Sequence, residues 1–379
     1  MTYLPDFRLE TYFAQWEFNA RYHLTASDMQ TLSMRELLEW ATPADRAAWD
    51  TLSLGYTQSP GDPTLRQAIA ATYDTADPAD VLCFAGAEEG LFCAMHALLG
   101  RDDHAIVTTP NYQSMETLPL HLCGAVSGVR LHEEDHWNLN LDEIKAALRP
   151  NTRLIAVNFP NNPTGKVIDP HTWRCLLELA AERDIYVFAD EVYRGLERDP
   201  AHTLVQAVDG ISGYTKALSL GVMSKALGMP GLRIGWIACK DHALLSKMER
   251  IKHYLSICNS ASSEILARIA LAARERILAR NLNIVRANLV LLDAFFAEFT
   301  DRFDWVAPEG GCVAYPRYKG TDGVEVFCKT LVEQSGVLLL PASIYRSDLQ
   351  PVPADHFRIG FGHTNTEVGL QALRAHLLQ

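Results

Sequence analysis

The sequence predicts an α/β fold in which helices cover both sides of a mostly parallel sheet and a smaller α+β domain follows. Three observations support this prediction. Short apolar segments alternate with helical segments between residues 104 and 239, the chain becomes helix-rich after residue 240, and extended segments return towards the carboxyl terminus. Alternating strands and helices are typical of parallel sheets, and 379 residues suffice for two or three domains of roughly 100–200 residues each.

Six short segments in the alternating region have the composition of buried strands. They are rich in β-branched, aromatic and other apolar residues, and two of them end at a proline. They span residues 104–110, 125–131, 152–160, 185–193, 217–222 and 234–239. Apolar residues at helical spacing predict helices over residues 141–149 and 171–184, between these strands.

The rest of the chain predicts the domain organisation. A helix-rich stretch, residues 241–300, leads into an extended segment, residues 305–317, and two further strands. We therefore expect a large domain over residues 46–275 and a small α+β domain over residues 276–379. Residues 1–45 look too short to fold alone, so we expect them to pack on the small domain and the active site.

Composition excludes several classes of protein. The formal net charge of −12 argues against nucleic acid or an anionic membrane surface as a partner. No apolar stretch reaches the ~18 residues that a membrane span requires, and the amino terminus does not resemble a signal peptide. The eight cysteines are scattered, without metal-ligand spacing. These features predict a reduced, cytoplasmic protein with no metal site.

Polar or aromatic side chains follow four of the predicted strands. They are Tyr112, Asn162, Asp190 and Lys225. Because active sites of open α/β sheets lie beyond the carboxyl ends of the strands, we expect these four residues to meet there. A lysine amine in such a place can form an imine with an aldehyde cofactor, although a lone lysine at a strand end is more often an exposed surface residue.

Pyridoxal phosphate (PLP) is the commonest cofactor of this kind, and its ring requires specific partners. Asp190 can pair with the ring nitrogen, Asn162 and Tyr193 can donate to the phenolic oxygen, and Tyr112 can stack on the ring. The alternatives are a helix cap or an ion pair for Asp190 and core packing for Tyr112.

The phosphate of PLP requires donors, and the sequence has two sources of them. Arg233 carries a fork of N–H groups. The segment Gly86-Ala87-Glu88 begins a predicted helix, whose free amide groups suit a phosphate. Arg233 could instead form a structural ion pair, and an acid such as Glu88 is also common in a first helical turn.

Several motifs in order along the chain resemble those of the class I and II aminotransferases, the fold-type I enzymes that use PLP. The resemblance runs from about residue 55 to the end and rests on the segments GYTQSPGDPTLRQAI, GAEEGLF, PNYQSM, NFPNNPTGKV, DEVY, SKALGMPGLRIGW and FRIGF. Of these, NNPTG and SKxxxxPGLRxGW are quite specific. The family's large domain is built on a seven-stranded, mostly parallel sheet.

The resemblance also implies a role for each motif residue. Lys225 carries the cofactor, and Asp190, Asn162 and Tyr193 hold its ring. The phosphate is bound by Arg233 and by the amides of Ala87 and Glu88. Tyr56 is similar to a tyrosine that reaches the phosphate of the neighbouring subunit, which implies a homodimer with shared active sites, and Arg358 is similar to the arginine that binds the substrate α-carboxylate.

One position departs from the family pattern. Many relatives have Ser or Thr three residues before the lysine as a phosphate ligand, and here that residue is Val222. Ser224 is a partial substitute, although it lies directly next to Lys225.

The resemblance implies transfer of an amino group from an amino acid to a 2-oxo acid through a lysine-bound cofactor. The same segments are also similar to the capreomycidine synthases, relatives that cyclise a hydroxylated arginine, so a PLP-dependent lyase or cyclase is the alternative. A DNA-binding regulator is disfavoured because only about 45 residues precede the large domain. For the substrate side chain, Glu17 would suit a basic group, whereas the aromatic residues around Tyr12 would suit an apolar one.

Overall fold

The computed structural model describes residues 4–379, so the first three residues of the predicted amino-terminal segment lie outside the described residues. The helices are α1 Arg8–Trp16, α2 Met34–Glu39, α3 Pro43–Asp50, α4 Pro63–Ala70, α5 Ala87–Leu98, α6 Ser114–Leu122, α7 Leu141–Ala147, α8 Pro170–Glu182, α9 His242–Lys252, α10 Ala261–Ala272, α11 Arg274–Glu298, α12 Val324–Ser335 and α13 Thr366–Leu377. Short 3₁₀ helices span Pro78–Asp80, Glu133–Asp135, Pro200–His202, Ala207–Asp209, Pro230–Leu232 and Ala342–Tyr345. The strands are β1 Tyr22–His23, β2 Val81–Phe84, β3 His104–Thr109, β4 Ala125–Arg130, β5 Thr152–Asn158, β6 Tyr186–Asp190, β7 Ala217–Val222, β8 Gly235–Cys239, β9 Phe303–Asp304, β10 Val313–Ala314, β11 Arg317–Tyr318, β12 Val337–Leu338, β13 Leu340–Pro341 and β14 Phe357–Gly360.

A seven-stranded sheet forms the centre of the molecule, in the order β2-β8-β7-β6-β5-β3-β4. The pairs among β4, β3, β5, β6 and β7 are parallel, whereas β8 runs antiparallel to both of its neighbours. The predicted α/β class with a mostly parallel seven-stranded sheet is therefore confirmed. The sequence patterns identified neither β2 nor the reversed direction of β8.

Both faces of this sheet are buried, because apolar side chains alternate between two cores. Along β5, Leu154 and Ala156 belong to one core, while Ile155 and Val157 belong to the other. Successive side chains of a strand point to opposite faces. The central positions of a strand covered on both faces are therefore apolar on either side, which explains why residues 154–157 of β5 form a continuous apolar run.

Helix α8 illustrates how the covering helices are specified. Its N-cap Asp169 accepts hydrogen bonds from two amides of the first turn, and Pro170 occupies the first helical position. Both features favour a helix start at this point. The side chains at Trp173 and Leu177 are buried, so the apolar face predicted from the sequence packs against the sheet.

Smaller sheets lie in the carboxyl-terminal part of the chain. β14 pairs antiparallel with β10 and β13, and β9 pairs with β11. The early strand β1 pairs parallel with β12, in register Tyr22 to Val337. The packing of residues 1–45 and the domain limits stay predictions. The predicted boundary between residues 275 and 276 falls in the first turn of α11.

Two further findings concern the residues that the structure describes. None of their helices is both long and apolar enough to cross a membrane. All eight cysteines are free, and most are buried.

Candidate functional site

A cavity of about 470 Å³ lies at the carboxyl ends of the parallel strands. Asn158, Asp190 and Val222 are the last residues of β5, β6 and β7, and all three line the cavity. Pairing of Asn158 with Asp190 across the sheet keeps the strand ends level. This is the position at which the sequence predicted an active site, and the volume is within the usual range for small-molecule sites.

Lys225 lies on the wall of this cavity, in the turn that follows β7. Its Nζ donates a hydrogen bond of 2.8 Å to the hydroxyl of Ser27. Burial lowers the pKa of Lys225, while the nearby charge of Asp28 opposes that shift. A larger share of the amine is therefore unprotonated near neutral pH than for an exposed lysine, which a nucleophile or a general base requires.

Asp190 is buried at the end of β6, with 7% of its surface exposed. Its Oδ1 accepts a hydrogen bond of 3.2 Å from the amide of Val192. Burial raises the pKa of Asp190 to about 6, against the opposing effects of that amide and of Lys225. Within the described chain no ion pair includes Asp190, so this buried carboxyl group can accept a cationic partner such as a protonated ring nitrogen.

One end of the cavity has the properties of a phosphate site, and we call it the phosphate end. Helix α5 begins there at Ala87 and has no side-chain cap on its first amides. Gly86, at φ 96°, lies so close to Arg233 that a Cβ would collide with Nη2. The Ser224 hydroxyl is buried and lacks a hydrogen-bond partner among residues 4–379. Free amides, a guanidinium and an unpartnered hydroxyl all suit a phosphate.

A second group of side chains at the site is organised around Arg358, and we call it the carboxylate end after the role that the sequence predicts for this arginine. Arg358 lies on β14, is fully buried, and donates from Nη1 to Asn162 Oδ1 at 3.1 Å. The Tyr345 hydroxyl also donates to that oxygen, at 3.2 Å. With its oxygen held, Asn162 retains its Nδ2 group as a donor for the cavity. The Nε atom of Arg358 has no hydrogen-bond partner among the described residues.

Two tyrosines predicted to hold the ring also line the cavity. The Tyr193 hydroxyl donates to the carbonyl of Ser27 at 2.8 Å, so its proton is engaged there rather than directed to a ring oxygen. Tyr112 packs against Phe7, with ring centroids 5.3 Å apart. Whether these rings contact a cofactor stays a prediction.

Glu88 contributes a carboxyl group to the cavity in addition to its amide. Its Oε2 accepts a hydrogen bond of 2.9 Å from Ser114. Burial raises the pKa of Glu88 to about 7, and the negative charges of Asp190 and Glu10 add to that shift.

The structure leaves three of the predicted residues outside the lining of the cavity: Arg358, Tyr56 and Glu17. Tyr56 is 94% exposed and lies beside a separate depression, so within a single chain it contributes nothing to the phosphate end. Glu17 does not line the cavity either. Glu10, in contrast, lines the cavity. It precedes Glu17 by seven positions, so the two side chains lie on nearly the same face of the helix, about two turns apart.

The sequence patterns also missed Phe7 and Ser27. Phe7 and Glu10 precede every recognisable motif, and Ser27 is separated from Lys225 by 198 positions. No local spacing connects such distant residues. The one available signal was the general expectation that the first residues pack on the active site.

Taken together, the side chains fit PLP. The phosphate end has unpaired donors, Asp190 is a buried carboxyl group without an ion pair among the described residues, and Lys225 is an amine with a lowered pKa on the wall of the same cavity. No group of described residues has the composition of a metal site.

Comparisons with known proteins agree with this geometry. A family model for aminotransferase class I and II matches residues 22–373. The chain is 30% identical over 378 residues to capreomycidine synthase of Streptomyces vinaceus, covering 99% of this chain and 94% of that protein. A PLP-dependent aminotransferase from Streptococcus suis has a TM-score of 0.90 at 27% identity, covering 100% of this chain and 98% of that one. The PLP-dependent cyclase OrfR has a TM-score of 0.88 at 25% identity, with 100% and 98% coverage.

Proposed function

Because this chain belongs to the class I and II aminotransferase family, we propose that it moves an amino group from an amino acid to a 2-oxo acid. Its cofactor is PLP, as the family and its solved PLP-dependent relatives imply. The observation that carries the proposal is the meeting of Lys225, Asp190 and Arg233 on one cavity. An amine, an acid and a phosphate-binding guanidinium are the three groups that this chemistry needs from the protein.

When bound, PLP supplies a conjugated ring that withdraws the electron pair released at the substrate α-carbon. The tasks of the protein follow from its own atoms. Lys225 Nζ is the general base that takes the proton from the α-carbon, and it then donates that proton again as a general acid. The Asp190 carboxylate keeps a proton on the ring nitrogen. This fixed charge is in place before the reaction begins, so it requires no reorganisation.

The substrate α-carboxylate is assigned to Arg358. Its Nη1 and Nη2 already donate to Asn162 and to the carbonyl of Thr25, whereas Nε is unpartnered. Because Arg358 does not line the cavity in this structure, carboxylate binding requires the side chains at this end to rearrange. The side-chain amide of Asn162, which Arg358 orients, also lines the cavity.

A single-turnover reaction tests this function. The PLP-loaded protein is mixed with one amino acid at a time, without any 2-oxo acid, while the absorbance of the lysine-bound cofactor is followed. We expect stable loss of that band and one equivalent of 2-oxo acid for the true donor. Failure of every amino acid in a broad panel to yield a 2-oxo acid would contradict the proposal.

A PLP-dependent cyclase or lyase is the second candidate. The similarity to capreomycidine synthase and to the cyclase OrfR favours it. Removal of the α-proton by Lys225 is common to both reactions, but a leaving group further along the side chain would then depart. The same experiment separates the two candidates, because this reaction restores the absorbance band and releases a cyclised or unsaturated product.

The acids of the cavity support a donor with a basic side chain. Glu10 and Glu88 both line the cavity, and no ion pair in the described part of the chain includes either of them. Phe7 and Tyr112 lie on the same wall and suit the aliphatic part of such a side chain. We therefore propose a donor with an ammonium or guanidinium group at its far end.

Charge-neutralising variants test this substrate class. We expect Glu10→Gln and Glu88→Gln to raise KM for basic donors roughly three- to tenfold, as for a partly solvated ion pair, and to leave neutral donors unchanged. Glu17→Gln is the comparison variant, since Glu17 does not line the cavity. A larger effect from Glu17→Gln would favour the original sequence prediction instead.

A homodimer completes the proposal. Leu54, Tyr56 and Tyr254 are each at least 90% exposed, and their segments adjoin because Thr57 Oγ1 donates to the carbonyl of Asn259 at 2.8 Å. Such an apolar patch is unusual for a monomer surface. A second copy of this chain would cover it and bring Tyr56 near the partner's phosphate end. Light scattering after gel filtration should give a dimer, and Tyr254→Asp should weaken it.

A further inference from the structure

A segment far from the sequence motifs passes through the carboxylate end. Residues 24–30, which we call the crossing segment, offer their backbone carbonyls to two of the predicted site residues. The Thr25 carbonyl accepts a hydrogen bond of 2.6 Å from Arg358. The Ser27 carbonyl accepts one of 2.8 Å from Tyr193. The backbone of the crossing segment is thus part of the wall of the site.

The crossing segment is pressed against β14 and the residues that follow it. A Cβ on Gly360 would collide with the Ala26 carbonyl, and one on Gly362 would collide with the Asp28 carbonyl. Only glycine permits this approach without displacing the segment. The Ser27 side chain therefore projects from backbone that is held on both sides.

The hydroxyl of Ser27 lies 2.8 Å from Lys225 Nζ and accepts its hydrogen bond. A second contact binds the same two stretches of chain, since the Met29 amide donates to the Lys225 carbonyl at 3.3 Å. The amine of a lysine moves on four rotatable bonds. An acceptor fixed to the backbone removes most of that freedom.

We propose that Ser27 is a positioning residue for Lys225, whose hydroxyl holds the amine on the cavity wall whenever the amine is not bonded to the cofactor. This inference rests on the proposed function, in which Lys225 acts as the base. It assigns the amino-terminal part of the chain a task in the reaction that no sequence motif indicates.

The charged and titratable groups around the amine explain why a neutral acceptor suits this place. Asp28 and Asp190 favour the protonated amine, as does Cys312, whereas Arg358 disfavours it. A hydroxyl accepts an N–H from either protonation state. Ser27 therefore keeps the same geometry before and after proton transfer, with a modest preference for the ammonium form.

Cofactor uptake by the PLP-free protein tests the inference without relying on turnover. The rate at which Lys225 bonds to added PLP is measured by absorbance across a range of pH. For Ser27→Ala we expect the plateau rate to fall roughly five- to tenfold, because the amine is no longer oriented. The midpoint should move down by about half a unit to one unit, because the ammonium loses an acceptor. Ser27→Thr keeps the hydroxyl and should restore both values.

A matched control separates positioning from folding. Ser33 caps α2 in a capping box six positions away and has no contact with Lys225, so Ser33→Ala should lower the melting temperature without moving the uptake profile. If Ser27→Ala leaves the plateau and midpoint unchanged, or if Ser33→Ala shifts them equally, the inference is wrong. Lys225→Ala tests the proposed function separately from the role of Ser27. If that variant still forms the lysine-bound absorbance band, the proposed function is wrong, whatever the result for Ser27.

Discussion

The two ends of the cavity are built in different ways. The phosphate end consists of short local turns: Gly86 leads directly into α5, and Ser224 and Arg233 lie within one stretch that joins β7 to β8. The carboxylate end joins distant parts of the chain, with Arg358 bonded to the carbonyl of a residue 333 positions away. A site made of local turns leaves a motif in the sequence, whereas a site made of distant contacts leaves scattered residues.

Among substitutions that affect only one of the two ends, we expect the largest effect at Arg358. Arg358→Lys removes the planar fork of donors from a fully buried position. We expect kcat/KM to fall about 100-fold or more, because water cannot supply the hydrogen bonds that the substrate carboxylate then loses. The affinity for PLP should stay within about threefold, since the phosphate end is untouched. Steady-state kinetics and a PLP titration measure the two quantities. Arg374→Lys, at an exposed ion pair with Glu298, is the matched control.

The next effect concerns the phosphate end alone. Gly86→Ala places a Cβ against Arg233 at a positive φ, so we expect PLP affinity to fall roughly 10- to 100-fold. At saturating PLP, the KM for the amino donor should change little. Gly213 has φ 79° with open space around it, so Gly213→Ala imposes the backbone strain without the collision. Equal loss of PLP affinity in both variants would show that backbone strain, and not the collision with Arg233, causes the loss.

The smallest effect concerns Asp190, which lines the same cavity. Its pKa in the folded PLP-free protein is about 6, above the value of ~3.9 in an unfolded chain. The folded state therefore binds more protons between about pH 4 and 6, and stability falls as pH rises through that window. We expect Asp190→Asn to stabilise the PLP-free protein by roughly 1–3 kcal/mol at pH 7.5, and this gain should vanish near pH 4.

Thermal unfolding with and without PLP measures this contribution. Added PLP should stabilise the wild-type protein more than Asp190→Asn, because only the carboxylate can pair with a protonated ring nitrogen. The exposed Asp135 supplies the control, and Asp135→Asn should leave the curve of stability against pH unchanged. A wild-type protein whose stability rises between pH 4 and 6 relative to Asp190→Asn would contradict the assignment.

The contrast between local and distant contacts also explains which parts of the fold the sequence predicted. The strands from β3 to β7 were predicted because each carries a short run rich in apolar residues, and the strand-end residues followed from the geometry of parallel sheets. The strand β2 was missed because only four residues, Val81–Phe84, carry its signal. The direction of β8 was missed because composition does not encode strand polarity.

For the site, the motifs led to Lys225, Asp190 and Asn162, all of which line the cavity. The motifs also led to Tyr56 and Arg358, and the place of Glu17 in the amino-terminal stretch led to that residue; none of these three lines the cavity. Glu17 was selected for its charge, but the part of the amino-terminal helical segment that reaches the cavity is the turn that carries Glu10. Which turn reaches the cavity depends on packing against distant residues. Tyr56 was carried over from a family in which the matching tyrosine reaches the neighbouring subunit, and its role stays a prediction.

The glycine-lined contact between the crossing segment and β14 has a consequence for biosynthesis. Ribosomes add ~5–20 residues per second, so a separation of 333 positions corresponds to roughly 17–70 s of translation. Both turns of the phosphate end emerge well before β14 does. A nascent chain can therefore present a nearly complete phosphate end while its crossing segment still lacks the strand against which it packs. Any protection of those residues during synthesis must come from elsewhere until the last strand leaves the ribosome.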